Sequence, residues 1–170
     1  MLNKKNRILA IDPGAREMGI VILDGSQLVH YGVKSLKKFR PESQLKEKVK
    51  VILKRTIVEY EVKTVVVETG WFSQTASPLF RAVIESTQEI VQQMKLNFAS
   101  YAPQTIRRLF CINRKATKKN TAATLVARYT EVGHHLPQMK RSREKYWQHV
   151  FDALAAGLAH IMKSEEESRQ

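Results

Sequence analysis

The sequence predicts an α/β fold, a mixed five-stranded sheet flanked by helices, and three observations carry that prediction. Short apolar runs over 7–12, 19–23 and 64–68 are closed by turn residues, as buried strands are. Apolar residues recur at helical spacing over 43–60, 78–94 and 144–162. Two of the apolar strands finish in a carboxylate, Asp12 and Glu68, and neighbouring strands would bring both to the sheet edge where ligands of open α/β sheets collect.

The first strand, Arg7-Ile8-Leu9-Ala10-Ile11-Asp12, runs into the turn Pro13-Gly14. A carboxylate where a core strand surfaces is costly unless a cation pairs with it, although Asp before Pro-Gly is also ordinary turn chemistry. The strand Gly19-Ile20-Val21-Ile22-Leu23 follows, with Asp24-Gly25 as the turn behind it. Residues 28–33 read as a third, more polar strand, and 34–41 as a basic connector. Leu45, Val49, Ile52, Leu53 and Ile57 predict a helix over 43–60. Its bases, Lys46, Lys48, Lys50, Lys54 and Arg55, read as a solvated face. The run Thr64-Val65-Val66-Val67-Glu68 shows no alternation, as expected of a strand buried on both faces.

Ser77-Pro78 supplies a cap and a first-turn proline for the next helix, whose stripe is Phe80, Val83, Ile84, Thr87, Val91 and Met94. That stripe is either core or the contact of a dimer. Residues 97–101 read as a strand stopped by Pro103, and 104–110 as a short basic helix. A helix over 121–132 is expected to end at Gly133, with a polar, basic loop from 134 to 145. The last helix, 144–162, carries Trp147, Val150, Phe151, Leu154, Leu158 and Ile161 at helical spacing. His149 and Asp152 share one of its faces, and Ala153, Ala156 and Gly157 let it approach a sheet closely. One domain is expected over 1–162, followed by a frayed polar tail over 163–170.

Composition narrows the function. No apolar stretch approaches a membrane span, and a first strand this close to the start leaves no room for a targeting peptide. The single cysteine, Cys111, lies in an apolar run and reads as a buried structural thiol, which suits a reducing cytosol. Lys and Arg outnumber Asp and Glu by 29 to 16, a net charge of +13 that points to a polyanionic partner. Between Glu89 and Glu131 there are eight bases and no acid: Lys95, Arg107, Arg108, Arg114, Lys115, Lys118, Lys119 and Arg128. A one-sign segment of this kind makes a field that binds phosphate backbones.

Asp12, Glu68, His149 and Asp152 then form the candidate catalytic and metal-ligating set. Hard cations such as Mg²⁺ take oxygen ligands from a few carboxylates, and two ions about 4 Å apart can clamp an in-line phosphoryl displacement. An acidic cluster within a basic chain needs metal to avoid repelling its substrate, which favours a metal nuclease over a plain binding module. His149 is either a ligand or base, or a residue packed beside Trp147 and Phe151.

These motifs are similar to those of the RuvC family of Holliday junction resolvases. Ile11-Asp12-Pro13-Gly14 with Gly19, Val66-Val67-Glu68, and His149-x-x-Asp152-Ala153-Leu154-Ala155 carry the resemblance, which spans nearly the whole chain. It implies a ribonuclease H-like fold and a homodimer that cuts four-way DNA junctions by paired symmetric nicks, using Mg²⁺ or Mn²⁺. It also implies Asp12, Glu68 and Asp152 as carboxylate ligands, and His149 at a position held by Asp or His among members. Ala102-Pro103, Arg107 and Ala116-x-Lys118 are similar to the family's basic segment, whose lysines touch DNA, and Arg108, Arg114, Lys115 and Lys119 of the same basic run are taken as candidate DNA contacts beside them. Trp71-Phe72 matches the aromatic position beyond the glutamate. A cytoplasmic, nucleoid-associated location is implied, or a host's cytoplasm if a phage or virus encodes the chain, with branch-migration machinery as a further partner. Cys111-Ile112-Asn113-Arg114 and the helix over 79–85 depart from the family's glycine-containing patterns. The competing readings are a ribonuclease H-like nuclease acting on RNA or other branched nucleic acid, and a non-catalytic DNA-binding module. Sugar kinases and actin-like ATPases share an early Asp-x-Gly but need a second lobe.

Overall fold

The computed structural model describes residues 6–69, 76–112, 115–140 and 144–169. Five strands form one sheet: β1 (Arg7–Asp12), β2 (Glu17–Asp24), β3 (Gln27–Ser35), β4 (Val62–Glu68) and β5 (Asn97–Tyr101). Their order is β3-β2-β1-β4-β5, with β1, β2 and β3 antiparallel and β4 and β5 parallel to β1. The mixed sheet expected from the sequence is therefore present. The parallel half arises because α1 (Glu42–Glu59) and α2 (Pro78–Gln93) carry the chain back before β4 and β5.

Alternation along the strands divides the core into two layers. Leu9 and Ile11 of β1, Met18, Ile20 and Ile22 of β2, and Val65 and Val67 of β4 pack against α1 and α2. Ile8, Ala10, Val21, Leu23 and Val66 face the other side, where α5 (Glu144–Glu167) lies across β1, β2 and β4. α3 (Pro103–Phe110) and α4 (Lys118–Arg128) complete that second layer. Position Gly157 is what lets α5 sit so low. A Cβ there would stand 2.7 Å from Leu23 Cδ1 and 3.0 Å from Ala10 Cβ.

Several sequence expectations need correction. The helix placed over 121–132 is α4, which starts earlier at Lys118 because the Thr117 hydroxyl accepts from Asn120 N at 3.2 Å. It stops at Arg128, and Gly133 does not cap it, because a 3-10 segment, Thr130–Lys140, takes over where a loop was expected. β3 extends through Ser35 into the supposed connector. α5 runs on to Glu167, so the polar residues after Met162 continue the helix as exposed turns rather than fraying at once. Most of the α2 stripe is core: Val83, Ile84 and Val91 are buried against α1 and the sheet and cannot supply a dimer contact, while Phe80 and Met94 are only partly buried.

The lysines of α1 are likewise not all a solvated face. Lys46 Nζ lies 2.8 Å from Glu85 and Lys50 Nζ 2.6 Å from Glu89, two ion pairs joining α1 to α2. Cys111 is buried and free. Among the described residues no helix is long and apolar enough to cross a membrane.

Candidate active site

The same two-residue alternation that builds the layers aims the acidic groups. Asp12 follows Ile8 and Ala10 on the α5 side of β1, and Glu68 follows Val66 on the α5 side of β4. β1 and β4 are hydrogen-bonded parallel neighbours, so both carboxylates emerge at one sheet edge. α5 crosses that edge with His149 and Asp152 on the face turned to it. Gly19 sets the crossing: a Cβ on Gly19 would stand 2.1 Å from the His149 carbonyl oxygen, so only glycine lets the helix backbone pass. Gly14 is required in the same way, since its Cβ would stand 2.2 Å from the Glu17 carbonyl oxygen across the tight turn after Asp12.

His149 Nδ1 stands 2.5 Å from Asp12 Oδ2, so the ring is turned to the acidic edge. Asp152 is nearly buried and has both oxygens engaged. Lys118 Nζ donates to Oδ2 at 2.6 Å and Gln148 Nε2 to Oδ1 at 2.8 Å. Among the described residues no donor stands within hydrogen-bonding distance of the Glu68 carboxylate, which is itself buried.

The electrostatics report crowding of like charge. Burial, then the charges of Asp152 and Asp12, push the Glu68 carboxyl up to about 8, against smaller opposing effects of Lys118 and Arg107. Burial also raises Asp12, partly offset by its hydrogen bond from His149. For His149 burial acts downward, but the Asp12 hydrogen bond and the charges of Asp12, Glu17 and Asp152 outweigh it and hold the imidazole above its ordinary value. Asp12 and Asp152 disfavour the ionisation of Glu68, and Asp152 that of Asp12, so a cation would relieve the site.

The donor set, three carboxylates and one imidazole, fits a hard divalent cation. Among the described residues no three such side chains stand in ready-made ligating positions, because Asp12 and Asp152 are already turned to His149, Lys118 and Gln148.

The basic residues separate into two groups. Arg107 is half-buried near enough to act on Glu68, and Lys118 reaches Asp152, so both belong to the acidic edge. Arg108 at the end of α3, and Lys115 and Lys119 around the start of α4, are exposed beside them. Lys95 precedes β5 and Arg128 precedes Tyr129, whose hydroxyl donates to Ser26 in the β2–β3 turn, so both stand at the opposite edge. Arg114, Trp71 and Phe72 lie outside the described residues.

Two members of the site were missed in the sequence. Gln148 precedes Asp152 by one helical turn. Glu17 has the strand parity of Gly19, Val21 and Leu23, which was signal enough to turn it toward α5; its Oε2 lies 3.8 Å from His149 Nε2.

The fold matches that of Thermus thermophilus RuvC with a TM-score of 0.72 at 16% identity, covering 95% of this chain and 96% of that one. The same values hold for T. thermophilus RuvC in complex with Holliday junction substrate. The yeast mitochondrial Holliday junction resolvase matches with a TM-score of 0.67 at 10% identity, covering 94% of this chain and 81% of that one. Among curated proteins, none matches this chain in sequence. The family model for crossover junction endodeoxyribonuclease RuvC matches residues 8–160, a span that contains both sheet layers and all four candidate ligands, and the chain belongs to that family.

Proposed function

We propose that this RuvC-family crossover junction endodeoxyribonuclease hydrolyses four-way DNA junctions with divalent metal held by Asp12, Glu68, His149 and Asp152. The observation that carries the reading is the convergence of three carboxylates, with Glu68 pushed up to about 8 by burial and by the charges of Asp152 and Asp12, on an edge bordered by Arg107, Lys118 and their basic neighbours. A bound Mg²⁺ or Mn²⁺ supplies Lewis acidity and neutralises charge on the scissile phosphate. The chain's own residues do the rest. Arg107, Arg108, Lys115, Lys118 and Lys119 draw the phosphate backbone to the edge. The Gly19 crossing fixes α5 so that His149 and Asp152 face Asp12 and Glu68 together.

Incubation with a mobile four-way junction and Mg²⁺ tests this. Paired symmetric nicks are expected, with a structured RNA left uncut. Junction binding without metal-dependent nicking would instead make the chain a binding module, and preferential RNA cleavage would move it to a different substrate.

Lys118→Ala and Arg107→Ala are each expected to weaken junction binding and to flatten the plot of log affinity against log salt by a little under one unit, roughly one phosphate contact for duplex arms. Fluorescence anisotropy across a salt series measures this, and unchanged slopes in both variants would remove the two residues from the DNA surface. Lys118 has a second role to lose, since its ammonium neutralises Asp152 in the absence of DNA.

A homodimer is also proposed, because two symmetric nicks call for two sites related by a two-fold axis. Its contact cannot use Val83, Ile84 or Val91, which are buried in the core, whereas Phe80 of the same stripe keeps part of its surface exposed. Sedimentation of the chain alone and on a junction checks it, and a monomer under both conditions would refute it.

A further inference from the structure

The side of His149 away from Asp12 is occupied by a carboxylate that the metal set does not use. Glu17 opens β2, and its side chain is only 13% exposed although it stands at the sheet edge. Oε1 is anchored by Lys37 Nζ at 2.7 Å, and Oε2 faces His149 Nε2 at 3.8 Å. The imidazole is thus flanked by Asp12 at Nδ1 and Glu17 at Nε2. Close backbone packing keeps it there, with Gly19 against the His149 carbonyl and Gly14 against that of Glu17.

A neutral imidazole has one N–H and one lone pair, and the hydrogen bond made by one nitrogen decides which it is. If Nδ1 keeps the proton, it continues to donate to Asp12, and His149 can offer no lone pair on that side. Glu17 stands 3.8 Å from Nε2, longer than a hydrogen bond; when a cation displaces the Nδ1 proton, its carboxylate closes on the remaining Nε2–H, and the lone pair is at Nδ1, beside the Asp12 carboxylate. Carboxylates placed behind metal-binding histidines act in this way, fixing ring orientation and raising ligand basicity.

We infer that Glu17 is a positioning residue for His149, holding the Nε2–H so that Nδ1 is the nitrogen offered to the divalent cation beside Asp12. The assignment rests on the ligand set proposed above. Lys37 serves it by keeping Glu17 from turning outward. Glu17 is not offered as a further ligand, because it lies on the far side of the ring and one of its oxygens is already engaged.

The test uses the full chain, ¹⁵N-labelled, with Mg²⁺ for NMR and Mn²⁺ alone for calorimetry. Long-range ¹H–¹⁵N correlations report the histidine tautomers, and His149→Asn identifies the ring. In the wild type with Mg²⁺, His149 is expected as the Nε2–H tautomer. Glu17→Ala should lose that single tautomer and weaken Mn²⁺ binding about tenfold or more, as removal of such partners does. Glu17→Gln, whose side-chain carbonyl can still accept from Nε2–H, should recover most of both. Should alanine unfold the strand start, Glu17→Thr keeps strand propensity while being too short to reach the ring. An unchanged tautomer and unchanged Mn²⁺ affinity in the folded Ala or Thr variant would overturn the positioning role alone. A wild type that neither binds Mn²⁺ nor nicks a junction would overturn the parent reading instead.

Discussion

Asp12→Asn is expected to abolish junction cleavage while leaving junction binding intact or tighter. The substitution preserves shape, and the asparagine carbonyl can still accept from His149 Nδ1, so the α5 crossing is not disturbed. What is lost is a negative charge at the point where metal and scissile phosphate must meet. Loss of one electrostatic stabiliser in an enclosed site costs about a hundred- to a thousandfold in rate, and loss of a metal ligand adds to that. Binding moves the other way because a carboxylate facing a phosphate backbone repels it, while Arg107, Lys118 and their neighbours remain. Asp12 is also among the charges that raise Glu68, so the variant relieves part of the crowding and should fold at least as stably as the wild type. Nicking of a labelled junction in Mg²⁺ and a mobility-shift titration without metal separate the two effects. Undiminished nicking would sink the metal assignment.

Gly19→Ala should damage fold and activity together, through a single methyl group. The new Cβ would stand 2.1 Å from the His149 carbonyl oxygen and 2.5 Å from its carbonyl carbon. Neither is the movable end of a flexible side chain, so β2 and α5 must separate. Overpacking of a rigid contact typically costs about 1–3 kcal/mol, and a backbone-on-backbone clash belongs at the upper end. For a domain of this size each kcal/mol lowers the melting midpoint by roughly 2–4 °C. Lifting α5 at this point also draws His149 and Asp152 away from Asp12 and Glu68, so activity should fall further than stability accounts for. Thermal melts and junction cleavage well below the melting range measure both. A variant with wild-type midpoint and rate would show that α5 has room to spare at the crossing.

Much of this architecture was legible in the chain. Short apolar runs closed by turn residues identified β1 and β2 as buried strands, and the unbroken run of β4 identified a strand buried on both faces. Because the chain must surface at their ends, Asp12 and Glu68 were marked as edge carboxylates without knowing what lay opposite. The helical pair His149 and Asp152, with the small residues after it, marked the face of α5 that would approach the sheet. These are local properties, set by backbone periodicity and by which side chains tolerate burial. The limits of α4 were not legible in the same way. Its start depends on the Thr117 cap, and its end on Tyr129 leaving the helical path to be buried in the core with its hydroxyl donating to Ser26.

What tertiary structure alone decided is the pairing of charges distant in sequence. Lys46 and Lys50 look like solvated bases on α1 until α2 brings Glu85 and Glu89 against them. Lys118 reads only as one base of a basic run until the fold sets its ammonium 2.6 Å from Asp152. Glu17 falls just before the strand read over 19–23, and it joins the site only because His149, remote in the chain, stands beside it. The reason is physical. Periodicity fixes which way a side chain points, but an ion pair depends on which element packs opposite: α2 beside α1 for Lys46 and Lys50, α4 beside α5 for Lys118, and α5 over β2, at the approach Gly19 allows, for Glu17.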